Sequence, residues 1–121
     1  MQLRRFIDAF SPTQAAFLGS LLLSLVALLT SPIINRDGLL YVETARIFSQ
    51  SDLATALSTF DWPFLSVLMA LFSKLTGIGL ENSGHILNAF FMAGTCALTV
   101  NCAERRMPEA AWTTCLVVLA M

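Results

Sequence analysis

One acidic residue stands where a membrane protein could hold a reactive group. Asp37 and its neighbour Arg36 are the first charges after a long apolar run. Carboxylates are common acid–base groups. A carboxylate just outside a membrane span is in the position expected for the reactive group of a membrane enzyme. A structural role is the alternative, in which Asp37 caps the next helix by accepting hydrogen bonds from backbone N–H groups. The two roles are compatible, because a cap also holds the carboxylate in place.

The composition indicates a membrane protein. The 121 residues are 56% hydrophobic and 12% charged, whereas soluble domains carry about 25% charged residues. The formal net charge of −1 argues against nucleic-acid binding, which needs a basic surface. The sequence contains no Gly-rich phosphate loop, paired-cysteine zinc spacing or HExxH pattern, so no metal site is predicted. Cys96, Cys102 and Cys115 lie in apolar runs and are expected to be reduced packing residues.

The element expected to position Asp37 is a transmembrane helix over 15–34. It follows a short polar segment, 1–14, that contains Arg4 and Arg5. A charge-free run of this length measures about 30 Å as a helix, which matches one hydrocarbon core. A cleaved signal peptide is the alternative, but the run ends without a small-residue cleavage motif. Arginines before a span favour a cytoplasmic amino terminus, which places Asp37 on the outer side.

The segment after this span, 35–83, is predicted to be an outer loop with three juxtamembrane helices. Their approximate ranges are 38–50, 52–60 and 62–75. The first has an apolar and a polar face, as in a helix that lies in the membrane interface, and Asp52 can cap the second. Trp62 and Pro63 open the third, whose apolar run is short for a span. The alternative is that this third segment crosses the membrane.

A second transmembrane helix is predicted over 84–103. This run has no charge when His85 is counted as neutral. Small and weakly polar residues follow one side of it, a pattern that lets helices pack closely in lipid. These residues are Gly84, Asn88, Thr95, Thr99 and Cys102. His85 has two interpretations, a hydrogen-bonded structural residue or a group beside a charged head group.

Basic residues favour two complete spans over three. If 62–75 stays outside, Arg105 and Arg106 lie in a cytoplasmic loop, 104–109, on the same side as the amino-terminal arginines, as the positive-inside tendency requires. The last apolar run, 110–121, is expected to be the start of a truncated third span. The chain is therefore interpreted as the amino-terminal piece of a larger protein. The predicted fold class is all-α, a polytopic membrane helical protein.

Three short motifs follow one another in a recognisable order: an Asp shortly before a Tyr, a Trp-Pro pair opening an apolar helix, and a Leu-x-Gly helix end. Their ranges are 36–45, 60–65 and 73–77. This order resembles the start of the GT-C membrane glycosyltransferases, similar to protein O-mannosyltransferases, aminoarabinose transferases and glycosyltransferase family 39 proteins. The resemblance covers roughly 15–121. Two positions depart from it: Gly38 stands where many members have a second acid, and Asp61 where many have a basic residue before Pro-Pro.

The resemblance implies sugar transfer from a polyprenyl-phosphate-linked donor on the outer membrane face. Asp37 takes the position of the general base, or of the acid that orients the acceptor, and Arg36, Tyr41 and Trp62 are weaker substrate-binding candidates. The expected partners are the lipid bilayer, the donor, and an acceptor lipid, glycan or protein, with no nucleic acid. The expected location is a bacterial inner membrane with the amino terminus in the cytoplasm. No cofactor is assigned, and a divalent metal in the full-length protein stays open.

A non-enzymatic role is the other interpretation. A small membrane subunit or a transporter fragment would use the weakly polar side of the second span to pack against a partner. The two interpretations differ at Asp37, because Asp37→Asn should abolish transfer in an enzyme and be nearly silent in a subunit. Even as part of an enzyme, the isolated chain is expected to be incomplete and inactive.

Overall fold

The described part of the chain is entirely helical. The structure is a computed structural model, and it describes residues 10–30 and 36–121, which contain no strand. Its elements are α1 (Pro12–Thr30), α2 (Arg36–Gln50), α3 (Leu53–Thr59), α4 (Phe64–Thr76), α5 (Leu80–Arg106), a 3-10 turn (Pro108–Ala110) and α6 (Ala111–Ala120). The all-α class is confirmed for this part. The arginines of the amino-terminal segment, the end of the first predicted span and the start of the outer loop lie outside the described residues.

The two predicted spans begin earlier than the charge-free runs do. Helix α1 starts at Pro12 instead of 15, because Ser11 and Gln14 form a reciprocal cap. The Gln14 N–H donates to Ser11 Oγ over 3.2 Å, and the Ser11 N–H donates to Gln14 Oε1 over 3.1 Å. Helix α5 starts at Leu80 instead of 84, since polar residues are compatible with a helix although they end an apolar run.

The chain divides into two compact units. We call Met1–Thr30 with Ala89–Met121 the terminal unit, and Ser31–Asn88 the central unit. Helix α5 contributes its opening turns to the central unit and the rest of its length to the terminal unit. Two of the described helices, α1 and α5, are long and apolar enough to cross a membrane.

The terminal unit is held together by small side chains. Its core consists of Ala16 from α1, Cys96 and Val100 from α5, and Cys115 from α6. The Thr13 hydroxyl donates to Glu104 Oε2 over 2.8 Å, which joins the start of α1 to the end of α5. These contacts make α1 and this part of α5 antiparallel.

The central unit has two well-defined helix ends, both indicated by the sequence. Asp52 caps α3, because its Oδ1 accepts from the Thr55 N–H over 2.8 Å and from the Thr55 hydroxyl over 2.6 Å. These bonds, that of the hydroxyl first, lower the pKa of the Asp52 carboxyl. Helix α4 ends at Gly77, whose φ of 75° is the left-handed conformation that glycine adopts without strain. The predicted Asp52 cap and the Leu-x-Gly helix end are both confirmed.

The core of the central unit forms where α2 packs against α4. Ala45, Met69 and Ala70 are buried there, and partly buried apolar side chains from α2, α4 and α5 surround them. On the outer side of α2, Arg46 and Glu43 are exposed and form an ion pair over 2.9 Å. Helix α2 is therefore amphipathic, as its sequence pattern predicts, and its buried side fixes the direction of Asp37 and Tyr41.

Candidate functional site

The central unit contains an open cleft of about 500 Å³. Its walls come from the start of α2, the first part of α4 and the opening turns of α5. Five lining residues carry polar side chains: Asp37, Tyr41, Glu81, His85 and Asn88. The others are small or apolar: Gly38, Val42, Leu65, Met69 and Gly84. A cleft of this size that combines an apolar floor with a few converging polar groups is the usual form of a small-molecule site.

Helical spacing brings the polar side chains to the cleft in two rows. Asp37 and Tyr41 lie one turn apart on α2. Glu81, His85 and Asn88 lie at intervals of four and three residues on α5, so all three project from one side of that helix. Asp37 and Glu81 are exposed and His85 is half-buried. The cleft thus receives two carboxylates and one imidazole from two different helices.

Close packing beneath the cleft depends on Gly84. A Cβ atom at this position would lie 2.9 Å from Cε and 3.3 Å from Sδ of Met69. The absence of a side chain at Gly84 therefore lets the Met69 side chain pack directly against the backbone of α5. Met69 itself is only 2% exposed, so it forms a stable apolar floor between the two rows.

Tyr41 is oriented by an aromatic neighbour. Its ring meets that of Phe60 edge to face, with the ring centres 5.4 Å apart and the planes at 86°. This arrangement is favourable for two aromatic rings. It restricts the Tyr41 ring at the side of the cleft, close in sequence to Asp37.

The cleft is acidic. Its described lining residues include two carboxylates, Asp37 and Glu81, and neither Lys nor Arg. The formal charge of these lining residues is therefore negative, with His counted as neutral. Asp37 lies in the first turn of α2, so its charge offsets the partial positive charge of that helix end. Helix α2 starts at Arg36, which makes Asp37 a residue of the helix and not the cap that precedes it.

The four predicted site residues separate into two pairs. Asp37 and Tyr41 line the cleft, whereas Arg36 and Trp62 are not among the described residues that do. Arg36 is exposed and the Trp62 side chain is 81% exposed. The sequence analysis does not identify Glu81, because this residue lies just before the charge-free run predicted to be the second span. Its spacing from His85 and Asn88 is the signal that could have found it.

Known proteins give no guide to this cleft: no family model, curated protein or solved structure matches the chain. The described residues contain no group of three or more His, Cys, Asp or Glu side chains arranged to hold a metal ion. The cleft is therefore interpreted from the chemistry of its own residues.

Proposed function

We propose that this chain is the amino-terminal part of a GT-C type membrane glycosyltransferase. It would transfer a sugar from a polyprenyl-phosphate-linked donor to an acceptor on the outer membrane face. The observation that carries the proposal is that Asp37, which has the family position of the base, lines a cleft with Glu81, His85 and Asn88. The resemblance in motif order is the reason for proposing this family, and the cleft is the place where that carboxylate would act.

In the proposed membrane topology, α1 and α5 each cross the membrane once. The start of α1 and the end of α5 then both lie on the cytoplasmic side. This topology is supported by the antiparallel contact of Thr13 with Glu104, which brings the start of α1 beside the end of α5. Arg105 and Arg106 are in the last turn of α5, so they fall on the side from which α1 starts, as the positive-inside tendency favours. The exposed leucines of α1 suit contact with lipid: Leu18, Leu22, Leu23, Leu25 and Leu29.

The length of α5 supports a site at head-group depth. The helix has 27 residues, about 40 Å at 1.5 Å per residue, whereas the hydrocarbon core is about 30 Å thick. One end therefore extends beyond the core. Glu81 and His85 lie in the opening turns, at the end opposite Arg105, and would face the outer head groups. A sugar linked to a lipid phosphate is held at that depth.

The chemistry assigned to Asp37 is general-base catalysis. The carboxylate would take the proton of the acceptor hydroxyl while the hydroxyl oxygen attacks the anomeric carbon of the donor sugar. A carbon–oxygen bond forms to the acceptor, and the bond to the donor phosphate breaks, with its electron pair leaving on the phosphate. The displacement inverts the anomeric carbon, because the base and the leaving group lie on opposite faces of the sugar.

The test is the Asp37→Asn variant of the full-length protein, assayed for sugar transfer in membranes. We expect transfer to fall at least about 100-fold, the usual contribution of a general base, with normal insertion and thermal stability because Asp37 is exposed. Glu43→Gln is the matched control, since Glu43 is an exposed acid on the same helix that does not line the cleft. If Asp37→Asn retains full transfer, Asp37 is not the base.

A structural subunit is the second candidate, and one observation favours it. The weakly polar side of α5 includes several exposed residues: Asn88, Thr95, Thr99 and Cys102. A partner helix in lipid could pack against this side. In that case Thr95→Leu would weaken recovery of a partner from detergent extracts, and Asp37→Asn would change neither assembly nor any activity of the complex.

A further inference from the structure

The charge of the cleft indicates which substrate it holds. We propose that the cleft binds the uncharged, polyhydroxyl acceptor, with Glu81 and His85 as the residues that select it, and that the donor phosphate binds outside the cleft. This inference rests on the proposed function, since acceptor and donor are defined by that reaction. It assigns a role to two residues on α5 that the motif order does not include.

A phosphate group is a poor fit for this lining. Phosphate sites use Arg, Lys or the free N–H groups of a helix amino terminus. The described lining residues offer neither Lys nor Arg. Of the three helices whose first turns contribute to the lining, α2 and α5 carry an acid there, Asp37 and Glu81, and α4 contributes the apolar Leu65. Asp37 and Glu81 would both repel the negative charge of a phosphate.

A polyhydroxyl group matches the same side chains. Carboxylates accept hydrogen bonds from hydroxyl groups, an amide both accepts and donates, and a neutral imidazole does one of each with its two nitrogens. Glu81, Asn88 and His85 present these three groups from one side of α5. Val42, Leu65 and Met69 give an apolar surface for the C–H face of a sugar ring. Asp37, the proposed base, lines the same cleft from α2.

Glu81 is the expected specificity residue. Its carboxylate can accept two hydroxyl donors, and a hydrogen bond to a carboxylate is charge-assisted and stronger than a bond between neutral groups. His85 adds one donor that the two carboxylates cannot supply. Removing the Glu81 charge should therefore weaken binding of the acceptor without changing the apolar floor.

Histidine labelling allows the test to follow His85, the only histidine among the 121 residues, once its signal is assigned in the full-length protein. The full-length protein, labelled with ¹³C-histidine and placed in lipid nanodiscs, is titrated with uncharged methyl glycosides or with inorganic phosphate. The ring signal of His85 is assigned by its loss in His85→Gln. We expect a saturable shift with at least one glycoside and none with phosphate. Glu81→Gln should weaken glycoside binding about tenfold, Glu81→Asp should keep part of the affinity, and Glu43→Gln should change nothing.

The outcomes separate this inference from the proposed function. A shift with phosphate and none with any glycoside would overturn the inference and make the cleft the donor site, and so would no shift with either probe. These tests use the wild-type protein, so they hold even if Glu81→Gln does not fold. Glycoside binding in a protein with no transfer activity would remove the proposed function and leave the cleft as a binding site.

Discussion

The two units of this chain use their polar residues in different ways. In the terminal unit, the core residues Ala16, Cys96, Val100 and Cys115 are small or apolar, and the Thr13–Glu104 hydrogen bond lies at the end of the helices. In the central unit, two carboxylates, an imidazole and an amide line an open cleft. The terminal unit therefore depends on the close packing of small side chains, whereas the central unit keeps polar side chains available at an open cleft.

We therefore expect different kinds of mutation to destabilise the two units. A unit that depends on close helix contact is sensitive to added volume, because overpacking forces side chains and backbone to move. A unit that keeps polar groups beside an open cleft can lose one of them with little loss of stability, since water replaces the missing bond at an exposed position. Mutations that change volume or hydrogen bonding test this difference directly.

The largest effect on stability is expected at Gly19 in the terminal unit. A Cβ there would lie 2.8 Å from Cδ1 of Leu119, so Gly19→Val should lower the free energy of unfolding by about 1–3 kcal/mol. Gly94→Val is the matched control in the same unit, because nothing lies within 4 Å of a Cβ at Gly94. Thermal unfolding in detergent compares the two. Equal stability of the two variants would show that space does not limit the terminal unit.

Sequence reasoning predicted much of the fold because each part has a strong local cause. The two long apolar helices follow from runs without charge, and α3 follows from the Asp52 cap. The starts of α1 and α5 were missed by a few residues, because a charge-free run marks the apolar part of a helix and not its first turn. The Ser11–Gln14 cap was the signal for α1.

The candidate site was less predictable than the fold. Asp37 and Tyr41 could be named because they lie within one motif on one helix. Glu81 could not, because its place in the same cleft as Asp37 depends on how α2, α4 and α5 pack. That packing includes the close approach of Met69 to Gly84, two residues whose types alone indicate no chemistry. Trp62 fitted the motif order, yet its side chain is exposed away from the cleft lining.

In the central unit, Asp52 is a polar side chain whose loss should have only a local effect. Its carboxylate holds the start of α3 through two bonds to Thr55. Asp52→Ala should speed amide hydrogen exchange at Thr55 and along α3, with no loss of the terminal unit's protection, because the cap is exposed and local. Asp52→Asn keeps an acceptor and should exchange at close to the wild-type rate. Unchanged exchange in Asp52→Ala would mean that the cap does not hold α3.

The same cap predicts a pH dependence. Hydrogen bonds from Thr55 lower the pKa of Asp52 below its ordinary value of 3.8. A carboxyl whose folded pKa is lowered stabilises the fold fully above its unfolded pKa, and the contribution is lost as the pH falls through the folded pKa. Exchange at Thr55 in the wild type, corrected for the intrinsic pH dependence, should therefore rise only below pH 3.8. In Asp52→Asn this rise should disappear.

The smallest effect is expected at Ser66, and its sign decides whether the central unit tolerates an unpaired polar group. Ser66 is fully buried, and its hydroxyl has no hydrogen-bond partner among the described residues. Ser66→Ala removes that unpaired group and should leave stability unchanged or raise it by up to about 1 kcal/mol.

Ser83 is the matched control, being equally buried but with its hydroxyl donating to the Gly79 carbonyl over 2.9 Å. Ser83→Ala should cost about 1 kcal/mol. Thermal unfolding that shows equal losses in both variants would mean that the Ser66 hydroxyl is hydrogen-bonded as the Ser83 hydroxyl is.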